Sequence, residues 1–227
     1  MTEILTLKNI NQYFYQGGNK VNVLSNLNLD ISKSTKVAII GASGSGKSSL
    51  LNIASLMQSP KSGSIFILGK SAFDLNDYDK SNLRKKNIGY IHQRNSLLME
   101  FSAFENIYIS LTLNKFNKNY AKERAIDLLK MVNMEHRAEH KPSSLSGGEQ
   151  QRVAISRAIA NSPEIIIADE PTGNLDKKNS DNVINELLNI SNINKTSLLI
   201  ATHDLSIAKK MDKVYNLNNG KLIEYKE

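Results

Sequence analysis

The chain has 227 residues, 40% of them hydrophobic, no cysteine, and a formal net charge of +7. That excludes a disulfide framework and a thiolate metal site, and it leaves enough apolar material for one large α/β core. MTEILTLKNI lacks the basic-then-apolar pattern of a signal peptide, and no apolar run reaches the roughly 18–20 residues of a membrane-spanning helix. These features predict a soluble chain of a reducing compartment. Basic clusters such as RKK at 84–86 are short and not interleaved with aromatics, so the positive charge reads as a solvated lysine-rich surface and no nucleic-acid partner is expected.

In chain order, ILTLKNI and VNVLSNLNLDI alternate apolar and polar residues on either side of Gly17 and Gly18, which predicts two strands joined by a turn. KVAII predicts a short buried strand ending at Gly41. A helix is expected over 47–55, stopped at SPKSG, then a strand SIFIL ended by Gly69. The stretch 94–161 offers no convincing strand. Within it, AKERAIDLLKMV places Ala121, Ala125, Leu128 and Val132 on one helical face. It reads as a helical subdomain inserted into the core. Alternation then resumes: strand EIIIA, helix SDNVINELLNI, strand SLLIAT, helix LSIAKKM, strands KVYNL and KLIEY. That order predicts a parallel sheet covered on both faces, within a single domain spanning 1–227.

GASGSGKS at 41–48 matches G-x-x-x-x-G-K-[ST] between a predicted strand and a predicted helix. The run Gly41, Ala42, Ser43, Gly44, Ser45, Gly46, Lys47, Ser48, Ser49 is therefore assigned to the phosphates of a nucleotide. The glycines let backbone N–H groups turn inward, Lys47 reaches the β- and γ-phosphates, and the Ser48 hydroxyl is a ligand for Mg²⁺. Strand IIIADE ends in two acids, where ligands of open α/β sheets bind. Asp169 falls where the Mg²⁺ hydration shell is held, and Glu170 is poised to deprotonate an attacking water. His203 follows the strand SLLIAT and reaches the same edge, whereas His92, His136 and His140 read as structural or solvated.

A second glycine turn lies at LSGGEQQR. Ser146 and Glu149 form S-x-x-E, a capping box. Between them stand Gly147 and Gly148, although glycine costs about 0.8–1 kcal/mol relative to alanine in a helix. Two glycines make sense where an anion approaches the backbone of a helix N-terminus. The turn lies in the helical stretch, away from the strand ends, so its phosphate is expected to belong to a second copy of the chain.

The turn, the loop at Lys47, IIIADEPTGNLD and ATHDL resemble, in order and spacing, the ABC-type ATPases, over essentially the whole chain. The resemblance implies a P-loop NTPase fold with an N-terminal antiparallel β subdomain and an inserted helical subdomain. It implies ATP as substrate with Mg²⁺, and a head-to-tail homodimer formed on ATP binding. It also implies integral membrane permease partners, and a peripheral position on the cytoplasmic face of a bacterial inner membrane. By resemblance, Ser146, Gly147, Gly148 and Glu149 form the signature turn. Gln93 senses Mg²⁺ and contacts the membrane partner, Asp176 lies at the dimer seam, and His203 meets the γ-phosphate. An adenine-stacking aromatic is expected near residue 14. Phe14 is favoured, with Tyr13 and Tyr15 as the alternatives. ADEPTGNLD is similar to the branch serving lipoprotein release, macrolide and toxin export, and cell division. EHRAEHKPSSLSGGE, LLMEFSAFENI and THDLSIAKKM resemble the lipoprotein-releasing members most. Met99, and EQQR with its likeness to the division-associated members, depart from that pattern.

Overall fold

The structure is a computed structural model describing residues 2–72 and 74–225. It opens with a long hairpin, β1 (Glu3–Gln16) and β2 (Asn19–Ser32), paired antiparallel. Gly17 and Gly18 connect them with φ of 56° and 83°, the left-handed angles that a two-residue hairpin turn demands. Next come β3 (Lys36–Ile40), helix α1 (Lys47–Ala54), β4 (Ser62–Ile67) and the short β5 (Lys70–Ser71). β4 pairs antiparallel with β1, giving a four-stranded sheet in the order β2-β1-β4-β5.

Helix α2 (Asp77–Asn87) precedes β6 (Ile88–Ile91). Three helices follow before the next strand: α3 (Ala103–Leu113), α4 (Lys118–Met131) and α5 (Gly147–Ile159). The chain then runs through β7 (Ile165–Asp169), α6 (Lys177–Asn194), β8 (Ser197–Ala201), α7 (Leu205–Ala208), β9 (Lys213–Asn218) and β10 (Lys221–Glu224). The second sheet has the order β10-β9-β3-β8-β7-β6, parallel throughout except for β10.

Why the central strands are unbroken apolar runs follows from the pleat. Successive side chains point to opposite faces, and both faces are covered. On β3, Val37 and Ile39 enter the core shared with the hairpin and α1, while Ala38 and Ile40 enter the core shared with α3 to α6. β7 and β8 divide in the same way: Ile165, Ile167, Leu199 and Ala201 on one side, Ile166, Ala168, Leu198 and Ile200 on the other. The helical face read from the sequence is buried as expected, with Ala121, Ala125, Leu128 and Val132 all inaccessible to solvent.

Two helices, α2 and α3, stand where the sequence names no individual element, and α7 is shorter than expected. α2 has no apolar stripe, since none of its residues is buried. Leu83 packs partly buried against the core under the hairpin, Arg84 Nη1 donates to Leu56 O at 2.7 Å, and the helix ends add to this. The Asn76 side chain accepts from Asp79 N at 2.9 Å, acids occupy the first turn, and Arg84, Lys85 and Lys86 occupy the last, complementing the helix dipole. α3 is announced by a capping box of Ser102 and Glu105 within SAFE. α7 covers only the first turn of LSIAKKM, with Asp204 as its cap.

Leu128 is the sharpest test of the helical core. Leu128→Ala leaves a cavity beneath α4 and is expected to cost about 2–5 kcal/mol. Urea unfolding should show a lower midpoint at unchanged slope.

Candidate nucleotide site

β3 ends at Ile40 on the carboxyl edge of the parallel sheet, and the chain curls through 41–46 into α1. Gly46 is the N-cap of α1 with φ of 105°, and a Cβ there would come within 2.7 Å of Val23 Cγ1. Backbone angle and space both require glycine. No side chain caps α1 and no acid stands in its first turn, so its N–H groups present a positive end to the loop. Lys47 is 7% exposed, and its Nζ donates to the carbonyls of Gly41 at 2.8 Å and Ala42 at 3.1 Å. Gly46 and Lys47 line a cleft of about 360 Å³ together with Val23, Ser43, Gly44, Ser48, Ser49, Gln93, Asp169 and Glu170.

Asp169 ends β7 beside the loop and is hydrogen-bonded to the Ser48 side chain. Burial pushes its carboxyl above the usual carboxylate range. The Ser48 bond and the charge of Lys47 pull it partly back, while the Glu170 charge raises it further. Glu170 adopts φ of 43°, a left-handed angle rare outside glycine and frequent at functional sites. Its N–H donates to Ala201 O at 2.9 Å, which ties it to the end of β8.

Three side chains from three segments meet its carboxylate. Gln93 Nε2 donates to Oε2 at 3.3 Å, His203 Nδ1 lies 3.2 Å from Oε2, and Lys47 Nζ lies 3.9 Å from Oε1. A second cavity of about 200 Å³ continues from Glu170 past Thr172, Gly173 and Leu175 to Thr202, His203 and Asp204. His92 stacks obliquely on Tyr90, with ring centroids 4.4 Å apart. Burial, helped by the Arg157 charge, lowers its pKa.

The Ser146 turn is elsewhere. Ser146 caps α5: its hydroxyl accepts from Glu149 N at 3.3 Å, and its own N–H donates to Glu149 Oε2 at 2.8 Å. None of residues 145–149 lines either cavity at Glu170. Gly147 is exposed, and neither it nor Gly148 has a positive φ. A Cβ at Gly147 would meet only the tip of Leu175 at 3.3 Å, and one at Gly148 the tip of Asn179 at 3.5 Å. Nothing rigid within the chain therefore demands glycine at either position. Asp176 is exposed and caps α6, accepting from Asn179 N at 3.0 Å.

On the hairpin, Phe14 pairs with Val21, two residues along β2 from the cleft-lining Val23. Phe14 and Val21 share one face of the hairpin, and the register shifts between Gln12 and Tyr13, leaving Val23 an extra residue of β2. Tyr13 and Tyr15 pack edge to face on the opposite side, where Lys20 and Lys61 cover the Tyr13 ring. Two residues that the sequence reading did not single out also hold the site. Asn174 Nδ2 donates to Gln93 O at 3.1 Å. Arg157 of α5 donates to Ser96 O at 2.8 Å and Asn95 O at 3.1 Å, fixing the segment after Gln93.

A parallel sheet with such a loop at its carboxyl edge, flanked by an added antiparallel sheet and a helical insertion, is the architecture of a P-loop NTPase. Residues 24–173 match the family described as ABC transporter, and the chain belongs to that family as an ATPase that binds and hydrolyses ATP. The chain is 41% identical over 227 residues, the full length of both proteins, to the lipoprotein-releasing system ATP-binding protein LolD of Hyphomonas neptunium. It is 43% identical over 220 residues to LolD of Paramagnetospirillum magneticum, covering 97% of each chain. Among solved structures, it is similar to the dimeric post-hydrolysis state of the ATP-binding cassette MJ0796 bound to ADP and Pi. That match has a TM-score of 0.91 and 35% identity, and covers 98% of each chain.

Asp169 carries a testable cost. Its folded-state pKa is raised, so its contribution favours folding below the ordinary carboxylate pKa and is lost as pH rises through the raised value. Asp169→Asn should therefore raise the melting temperature at pH 7, with the difference shrinking as the pH falls through the carboxylate range. Thermal melts across that range check the sign.

Proposed function

We propose that the chain is the ATP-hydrolysing subunit of a lipoprotein-releasing complex, peripheral to the cytoplasmic face of an inner membrane and driving integral permease subunits. Full-length identity near 40% to proteins named LolD supports the lipoprotein-releasing assignment. No helix among the described residues is long and apolar enough to cross a membrane, so a permease would supply the membrane passage. The exposed Leu98, Met99 and Phe101, just past Gln93, are the apolar surface on which that partner would dock.

The convergence of Lys47, Gln93 and His203 on Glu170 carries the mechanism. ATP phosphates lie in the 41–49 loop against the N-terminus of α1, and Lys47 exchanges its bonds to Gly41 and Ala42 for phosphate oxygens. Glu170 is the general base for the attacking water. His203 and Gln93 hold its carboxylate, and His203 faces the γ-phosphate. Ser48, Asp169 and Gln93 offer oxygen donors suited to Mg²⁺, which when bound neutralises developing charge on the phosphates. Adenine stacks on Phe14, since Tyr13 and Tyr15 pack on each other and Lys20 and Lys61 cover the Tyr13 ring.

The signature turn completes the site of a second copy. Its glycines have no rigid cause within the chain, and a phosphate brought by the partner's loop supplies one. The dimer is then head to tail, with Asp176 at the seam and two ATP molecules shared between the chains. ATP binding closes it and hydrolysis reopens it.

Glu170→Gln should retain ATP binding and lose on the order of 100-fold or more in turnover, the scale of a lost general base. Normal turnover in that variant would remove Glu170 as the base. Affinity capture of the wild-type chain from a detergent extract should bring down a lipoprotein-releasing permease. Capture of a division-type membrane protein instead would overturn that part of the reading.

A further inference from the structure

We propose that Arg137 is a positioning residue for the composite ATP site, clamping Glu149 so that the 146–148 turn keeps its N–H groups aimed at phosphate on the partner chain. This rests on the shared-site reading above. The Glu149 carboxylate is used at both ends. Oε2 accepts from Ser146 N at 2.8 Å, and Oε1 accepts from Arg137 Nε at 3.2 Å. Without the second contact, the carboxylate could rotate away from the turn it holds. Ser146's backbone bond, with Arg137's charge beside it, keeps the Glu149 carboxyl below the usual range, so it stays ionised for both partners.

The arginine is itself fixed. It ends a 3-10 turn, Glu135–Arg137, that follows the fully buried Met134, and its Nη1 lies 3.2 Å from His140 Nε2. The segment after it is bonded to the start of α3, with Phe104 N donating to Ala138 O at 2.8 Å and Ala103 N donating to His140 O at 2.9 Å. The clamp thus stands on the helix that begins just past the exposed Leu98, Met99 and Phe101.

The molecule contains its own control. Ser102 and Glu105 form an identical capping box at the start of α3, with Ser102 N donating to Glu105 Oε2 at 2.8 Å. Among the described residues, no ion pair is formed by Glu105, and α3 begins without one. A capping box does not need an arginine to start a helix. The clamp at Glu149 answers a stricter requirement on the turn than helix initiation does.

Mixed dimers separate action on the partner's site from action on the chain's own. Purified Arg137→Ala should turn over ATP roughly tenfold slower, with single-chain ATP affinity and melting temperature near wild type, and Arg137→Lys should recover part of the loss. If Arg137→Ala fails to fold, Arg137→Gln carries the same readings. Mixing Arg137→Ala with Lys47→Ala should raise turnover above that of either variant alone, because one of the two shared sites in each mixed dimer then has both an intact loop and an intact clamp. Ser146→Arg mixed with Lys47→Ala is the reference and should be restored in the same way. Unchanged turnover in Arg137→Ala overturns the proposal. So does an Arg137→Ala mixture no faster than Arg137→Ala alone beside a rescued reference, since Arg137 would then act on its own chain. A dead reference mixture overturns the shared-site reading and this inference with it.

Discussion

The carboxylate of Glu170 is the point on which the site depends. Lys47, Gln93 and His203 reach it from three segments, and a fourth, the end of β7, carries it. They can meet because β3, β8, β7 and β6 are consecutive neighbours running parallel, so the four segments leave the sheet at one edge, side by side. Sequence distances of more than a hundred residues collapse to hydrogen-bond range through strand order alone. The left-handed backbone at Glu170 belongs to the same arrangement. Its N–H is bonded to the end of β8 while its side chain stays beside Lys47.

This edge is made at a cost to the folded state, and the two cores supply the means to bear it. Asp169 is kept partly out of water, with its carboxyl pushed upward by burial. Strain at Glu170 and burial of Asp169 both oppose folding locally. Against them stand the apolar residues of β3, β7 and β8, one set packed against the hairpin and α1, the other against α3 to α6. The rigid sheet leaves these acids no easy retreat, which is the condition for a site already organised before its substrate arrives.

Much of this was legible in the sequence because its causes are local. A glycine loop between strand and helix, acids at a strand end and a capping box containing two glycines are each confined to a dozen residues or fewer. What escaped the sequence reading had non-local causes or lacked a hydrophobic signature. α2 has no apolar face to create a period, and its end charges read in sequence as a solvated surface cluster. The choice between Phe14 and its tyrosine neighbours turns on what packs against each ring, which a run of three aromatics does not reveal. Asn174 and Arg157 act by donating to backbone carbonyls of a distant segment, and such bonds leave no mark on composition or spacing. Arg137 was in plain view within EHRAEHKPSSLSGGE, but its partner became evident only once the 3-10 turn placed it beside Glu149. The capping box at Ser102 could have been found by the same S-x-x-E pattern that located Ser146.

The two glycine turns now have different standings. The loop at Lys47 is complete within one chain, with cleft, cation and acids assembled around it. The turn at Ser146 is rigidly built, doubly braced through Glu149, and faces no cavity of its own at Glu170. The most direct measurement is turnover per chain as a function of chain concentration, for the purified protein at saturating ATP. Sites shared between two copies require specific activity to fall as the chain is diluted below its dimerisation range and to recover on concentration. Specific activity that stays constant down to high dilution contradicts the shared site and leaves the Ser146 turn without a substrate.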